Sequence, residues 1–174
     1  MIARSLFVES KKLRVFDFDD TLVKTTSFIY VTHSNGKTSK LTPGQYAVYK
    51  EKPGDEFDFK DFEQVKNPKI IKGYFQLLKK MAASHNEGVY ILTARASHKP
   101  VYDFIKQSGI KGVYVVALAS NNPEDKASWI EDKVKDGYDD IYFVDDSKKN
   151  IDAVKKRLNG YPSVKKRIQW VKHS

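Results

Sequence analysis

The chain has 174 residues, 40% of them hydrophobic and 13% aromatic, with only 9 Gly and 6 Pro. This is the composition of a folded globular protein, not of a disordered or fibrous one. There is no cysteine, which excludes a disulfide scaffold, a thiolate zinc site, an iron–sulfur cluster and a cysteine nucleophile. The formal charge of +9 is unevenly placed: residues 147–174 hold nine Lys and Arg against one acid, Asp152, while the other 146 residues hold 22 bases and 21 acids.

The length predicts a single domain over 1–174, large enough to bury roughly 70% of the surface its unfolded chain exposes. The opening MIARSLFVESKKLR lacks the apolar core and small-residue cleavage site of a signal peptide. No stretch approaches the ~18 apolar residues of a membrane span. A cytoplasmic protein without a membrane partner is therefore expected.

Taken in chain order, Arg14 to Phe18 is a short apolar run with the character of a strand buried on both faces. Residues 25–66 break the pattern. Asn35-Gly36 between Phe28–Val31 and Leu41 predicts a β-hairpin, and a polar-aromatic segment follows, so the stretch reads as an insertion after the first strand. Pro68 at N1 predicts a helix carrying Ile70, Ile71, Tyr74, Leu77, Leu78 and Met81. Val89–Thr93 is the next strand. Pro100 opens a helix that Gly109 stops, and Val113–Leu118 is a third strand. Pro123 opens a helix ending at Gly137, and Ile141–Val144 is a fourth strand. Ser147 caps a helix with Ile151, Val154 and Leu158, and Arg167–Val171 is a last candidate strand. Strand–helix alternation at this spacing implies α/β architecture, a parallel sheet covered by helices on both faces.

The chemistry gathers at strand ends. Asp17 and Asp19 stand at the end of the first strand, and strand alternation places them on one side at the carboxyl edge, where open α/β sheets bind ligands. Asp145-Asp146 ends another apolar strand in the same way. If the two strands are neighbours, four carboxylates meet at one edge, an arrangement too costly without a cation. Hard Mg²⁺, which takes carboxylate oxygens and keeps room for a phosphate oxygen, suits it. Thr93 and Arg95 offer a hydroxyl and a bidentate guanidinium to a phosphate. Lys126 lies at the start of the helix before the last acidic strand.

The ordered set Asp17-x-Asp19-x-Thr21-Leu22, Ile91-Leu92-Thr93, Lys126 and Val144-Asp145-Asp146 resembles the four motifs of the haloacid dehalogenase (HAD) superfamily of phosphohydrolases. The resemblance implies a Rossmann-like sheet of order 3-2-1-4-5 with a β-hairpin flap or small cap after the first motif. It implies Asp17 as nucleophile forming an aspartyl-phosphate and Asp19 as general acid, then base. It implies Thr93 and Lys126 binding the phosphoryl oxygens, and Thr21 and Arg95 as further substrate contacts. Mg²⁺ would be held by Asp17, the Asp19 carbonyl and Asp146, with Asp145 orienting Lys126 or a metal-bound water.

An insertion of about 45 residues leaves no room for a large cap, and in this superfamily small caps go with large substrates. Thr93-x-Arg95 resembles the phosphatase half of viral polynucleotide kinase/phosphatases, and Leu41 to Phe59 resembles HAD-type proteins of tailed bacteriophages. A nucleic-acid 3′-phosphate, contacted through the basic C-terminal segment, is one expected substrate. The alternatives are a small phosphomonoester such as a nucleotide or sugar phosphate, and a non-catalytic binding module. The basic residues of 148–157 also suit the exposed face of a helix. Aromatics of the insertion could stack bases, though a mini-core is the better expectation. His33, His85, His98 and His173 show no metal-ligand spacing.

Overall fold

The structure, a computed structural model, describes residues 9–172. Residues 1–8, part of the stretch read against a signal peptide, and His173 lie outside that range. Strand β1 (Lys12–Phe16) is central in a five-stranded parallel sheet with β7 (Glu87–Thr93) and β8 (Val113–Ala117) on one side and β9 (Asp140–Asp145) and β10 (Lys165–Trp170) on the other. The spatial order is therefore β8-β7-β1-β9-β10.

Alternation on β1 explains the two cores. Leu13 and Val15 point to one face, where Ala127, Ile130 and Val134 of α4 (Pro123–Lys135) and Ile151, Val154 and Leu158 of α5 (Lys148–Leu158) cover them. Phe16 joins the opposite core with Phe75 and Leu78 of α2 (Lys72–Ala82) and Val101 and Ile105 of α3 (Lys99–Gln107). The helix ends follow local chemistry: Asn122 and Ser147 accept first-turn N–H groups as N-caps, and Gly109 and Gly137 follow α3 and α4 at positive φ. No helix among the described residues is long and apolar enough to cross a membrane.

The insertion holds more order than a hairpin. β3 (Ile29–Thr32) pairs antiparallel with β4 (Thr38–Leu41) around the Asn35-Gly36 turn, and β5 (Glu56–Asp58) adds to the other edge of β3. Between β4 and β5 lies the short helix α1 (Pro43–Ala47), closed by a reciprocal Thr42–Gln45 capping box. Tyr46, Tyr49, Phe57 and Phe59 meet edge to face or tilted, a half-buried aromatic mini-core of this subsheet with Phe59 at its exposed side.

The helix expected from Pro68 begins later. β2 (Val23–Lys24) pairs with β6 (Lys69–Ile70), and the Ile71 N–H donates to the Leu22 carbonyl at 2.8 Å, so these backbone groups serve a ladder and α2 starts at Lys72. Ile70 is consequently 51% exposed, whereas Phe75, absent from the expected apolar face, is buried.

Candidate active site

The register of β1 and β9 decides the site. Phe16 lies opposite Val144, and the Asp17 N–H donates to the Val144 carbonyl at 3.0 Å, so Asp17 and Asp145 leave adjacent strands together at the carboxyl edge. After Asp17 the chain turns sharply: Asp20 has φ 63°, and the Leu22 N–H returns to the Phe18 carbonyl at 2.9 Å. This single left-handed residue, a conformation Asp tolerates better than most, brings Thr21 back beneath Asp17. The Thr21 hydroxyl donates to Asp17 Oδ2 at 2.9 Å and approaches Asp146 Oδ1 at 3.5 Å.

Lys126 enters from the first turn of α4. Its Nζ donates to Asp17 Oδ1 at 2.8 Å and to Asp145 Oδ2 at 2.9 Å, and the side chain is 3% exposed. It is a buried clamp between two carboxylates. Asp145 is held from behind as well, accepting from the Ser147 N–H at 2.8 Å and from Asn150 Nδ2 at 3.0 Å. Asn150 escaped the sequence reading; the signal for it was a polar residue in the first turn of a helix that starts three residues after Asp145.

Asp17, Asp145 and Asp146 each offer a carboxylate oxygen within 4.8 Å of the others, so together they could hold a metal ion. The expected meeting of four carboxylates is reduced to three. Asp19 instead turns to Arg95, whose Nε and Nη2 each donate to one of its oxygens at 2.8 Å. Arg95 also donates through Nη1 to the carbonyls of Phe62 at 3.1 Å and Gln64 at 2.9 Å, and its guanidinium stacks near the rings of Phe18 and Phe62. Expected as a substrate contact, Arg95 is here buried and ties Asp19 to the insertion. Thr93 is also buried; its hydroxyl accepts the Arg95 N–H at 3.2 Å and so shapes the loop after β7. His85 and His98 are exposed.

Crowding of like charges shows in the acidities. Burial, then the neighbouring Asp145, pushes the Asp17 carboxyl up to about 6 despite Lys126. Burial and the facing Asp17 push Asp146 up to about 10. Burial works against the Lys126 ammonium, yet Asp145 and Asp17 together outweigh it and raise its pKa. Without a cation, this cluster retains a proton; a divalent ion would take that proton's place.

The rest of the basic segment is partly committed to the fold. Arg157 pairs with Glu124 and Glu131, Lys148 with Asp152, and Lys166 donates to the Leu158 and Tyr161 carbonyls. Comparison with known proteins finds no family model, no curated protein and no solved structure that matches the chain.

Proposed function

We propose that the chain is a Mg²⁺-dependent phosphomonoester hydrolase of the HAD type that works through an aspartyl-phosphate on Asp17. The observation that carries this reading is the Lys126 clamp on Asp17 and Asp145, with Asp146 beside them and one ammonium among three carboxylates. With all three carboxylates ionised there is an excess of two negative charges, which suits one divalent cation, and an all-oxygen donor set suits Mg²⁺.

Further support comes from topology. Counted among the five sheet strands alone, the order reads 3-2-1-4-5, the order the resemblance implies. The β3–β4 hairpin follows Asp17 and Asp19 where a flap would stand.

In this reading an Asp17 carboxylate oxygen attacks phosphorus. The bond to the leaving alcohol breaks, and that oxygen takes a proton from Asp19. Water then attacks phosphorus and gives a proton to Asp19, the bond between phosphorus and the Asp17 oxygen breaks to restore the Asp17 carboxylate, and inorganic phosphate departs. Both Asp19 oxygens accept from Arg95, so the acid–base step requires the carboxyl to turn towards the leaving group as substrate enters. Lys126 and Thr93 bind the non-bridging oxygens, and Thr21 keeps Asp17 in place. Mg²⁺ held by Asp17, Asp146 and the Asp19 carbonyl would offset repulsion between the nucleophile and the anionic phosphate.

The test is a screen of phosphomonoesters with Mg²⁺ or EDTA present, on the protein and on Asp17→Asn. Expected are Mg²⁺-dependent phosphate release, its loss by at least about 10³-fold in the variant, and a hydroxylamine-sensitive phosphoprotein. Full turnover by Asp17→Asn would exclude the covalent mechanism, and no turnover of any substrate would exclude the hydrolase.

A further inference from the structure

Trp170 ends β10 in register with Asp145, and it is a large aromatic side chain left 36% exposed. Its indole Nε1 donates to the main-chain carbonyl of Asp146 at 3.0 Å, which fixes the ring beside the acidic loop. Two ammonium groups lie against the ring, Lys172 Nζ 4.8 Å and Lys148 Nζ 5.6 Å from its centroid, the second of them also paired with the exposed Asp152. Next to Lys148, Lys149 reaches the Ala47 carbonyl of α1 at 3.5 Å, so the insertion borders this same rim.

An exposed indole flanked by cations, anchored on a residue of the carboxylate cluster, has the chemistry to take a flat aromatic group that carries phosphate. Two other aromatic clusters hold their rings against one another, even where Phe59 and Tyr114 are exposed. Tyr46, Tyr49, Phe57 and Phe59 pack on one another in the insertion, and Tyr90, Tyr114 and Trp129 pack together on the sheet. Stacking of a base outweighs an exposed cation–π contact. An arriving base can therefore displace a lysine from the ring, and the freed ammonium is then available to backbone or phosphate oxygens.

We propose that Trp170, with Lys148 and Lys172, is a stacking platform for the base of a nucleoside phosphate whose phosphoryl group lies at the Asp17–Lys126 cluster. This deepens, and rests on, the phosphomonoesterase reading by naming the substrate class. The unit recognised is a nucleotide, free or at the end of a strand.

Binding is measured by polarisation of a labelled 3′-phosphorylated oligonucleotide with Mg²⁺, on an Asp17→Asn background that holds turnover off. Unlabelled 3′-mononucleotide and glycerol phosphate serve as competitors. Trp170→Ala should weaken oligonucleotide binding about tenfold or more. Trp170→Phe, which keeps a ring but loses the N–H to Asp146, should retain most of the affinity. Effective competition by the mononucleotide would show that one nucleotide suffices, and its failure would assign the platform to a strand end; glycerol phosphate should compete poorly in either case.

Unchanged affinity in Trp170→Ala overturns the proposal. So does an equal loss in the Phe variant, which would make the residue a prop for the Asp146 loop. Because the readout is binding, failure of the hydrolase reading would appear separately: no phosphate release, with the Trp170 dependence of binding intact.

Discussion

Both oxygens of Asp19 are held by one guanidinium, and the same group reaches two carbonyls of the insertion. Removing it leaves a partly buried carboxylate and two carbonyls without their donor, so Arg95→Ala should cost about 2–4 kcal/mol of stability. In the proposed hydrolase it should also lower kcat. Arg95→Lys should fail to restore kcat, because a single ammonium cannot reproduce the fork; recovery of full turnover by lysine would show that only charge matters here. The acidities give a second expectation. Folding raises Asp17 from 3.8 to about 6 and Asp146 from 3.8 to about 10, so the cation-free fold keeps protons that the unfolded chain releases near pH 4. The stabilisation they represent is complete at acid pH and is lost as pH climbs through about 6 and then about 10. In the proposed function Mg²⁺ takes the place of those protons, so the rise in Tm on adding Mg²⁺ should grow as pH increases across that window. A shift of the same size at every pH would contradict this. Asp17, Asp145, Asp146 and Lys126 could be read from sequence because each sits at a strand end or helix start. The Asp19–Arg95 pair could not, since 76 residues separate the partners and no local pattern says which acid a guanidinium will meet.

Elements hold these residues in place through packing at a distance. Leu158, at the end of α5, is fully buried against the β1–β9 face, whereas the residues that touch Asp145, Ser147 and Asn150, lie at the other end of that helix. Leu158→Ala should therefore cost about 2–5 kcal/mol in urea unfolding. Activity per folded molecule should stay close to that of the parent; a fall in kcat matching the loss of stability would mean that the helix transmits strain to the site. The five sheet strands and helices α3 to α5 are legible in the sequence because apolar runs, Pro at first turns, Gly past the last and polar caps all agree. The start of α2 is not, because Ile70 and Ile71 fit a helical period while their backbone pairs with β2 and Leu22. The third strand of the insertion, Glu56–Asp58, is too short and too polar to announce itself, and it is held by β3 and the aromatic mini-core around Phe57.

Across the whole molecule the surplus of positive charge divides between two ends. Lys148 and Lys172 flank Trp170 at the carboxyl edge of the sheet, whereas Lys155 and Lys156 lie in the last turn of α5. Seven residues of helix separate Lys148 from Lys155, about 10 Å at 1.5 Å per residue, comparable to the Debye length of about 10 Å at 0.1 M salt. The far pair also faces the negative end of the helix dipole, which gives it a structural use. Arg157 and Lys166 are held by acids and carbonyls, and Lys148 has only the exposed Asp152, a pair that an arriving phosphate can exchange, so the nine bases of residues 147–174 do not act as one field. If the phosphates of a strand meet only the rim cations, two or three contacts are neutralised, and the logarithm of oligonucleotide affinity should fall against the logarithm of salt with a slope of about −2. Lys148→Ala with Lys172→Ala should flatten that slope by more than half, and Lys155→Ala with Lys156→Ala should leave it within error. A slope several-fold steeper, equally sensitive to both pairs, would mean that the strand runs the length of α5 and that the basic segment is one continuous track.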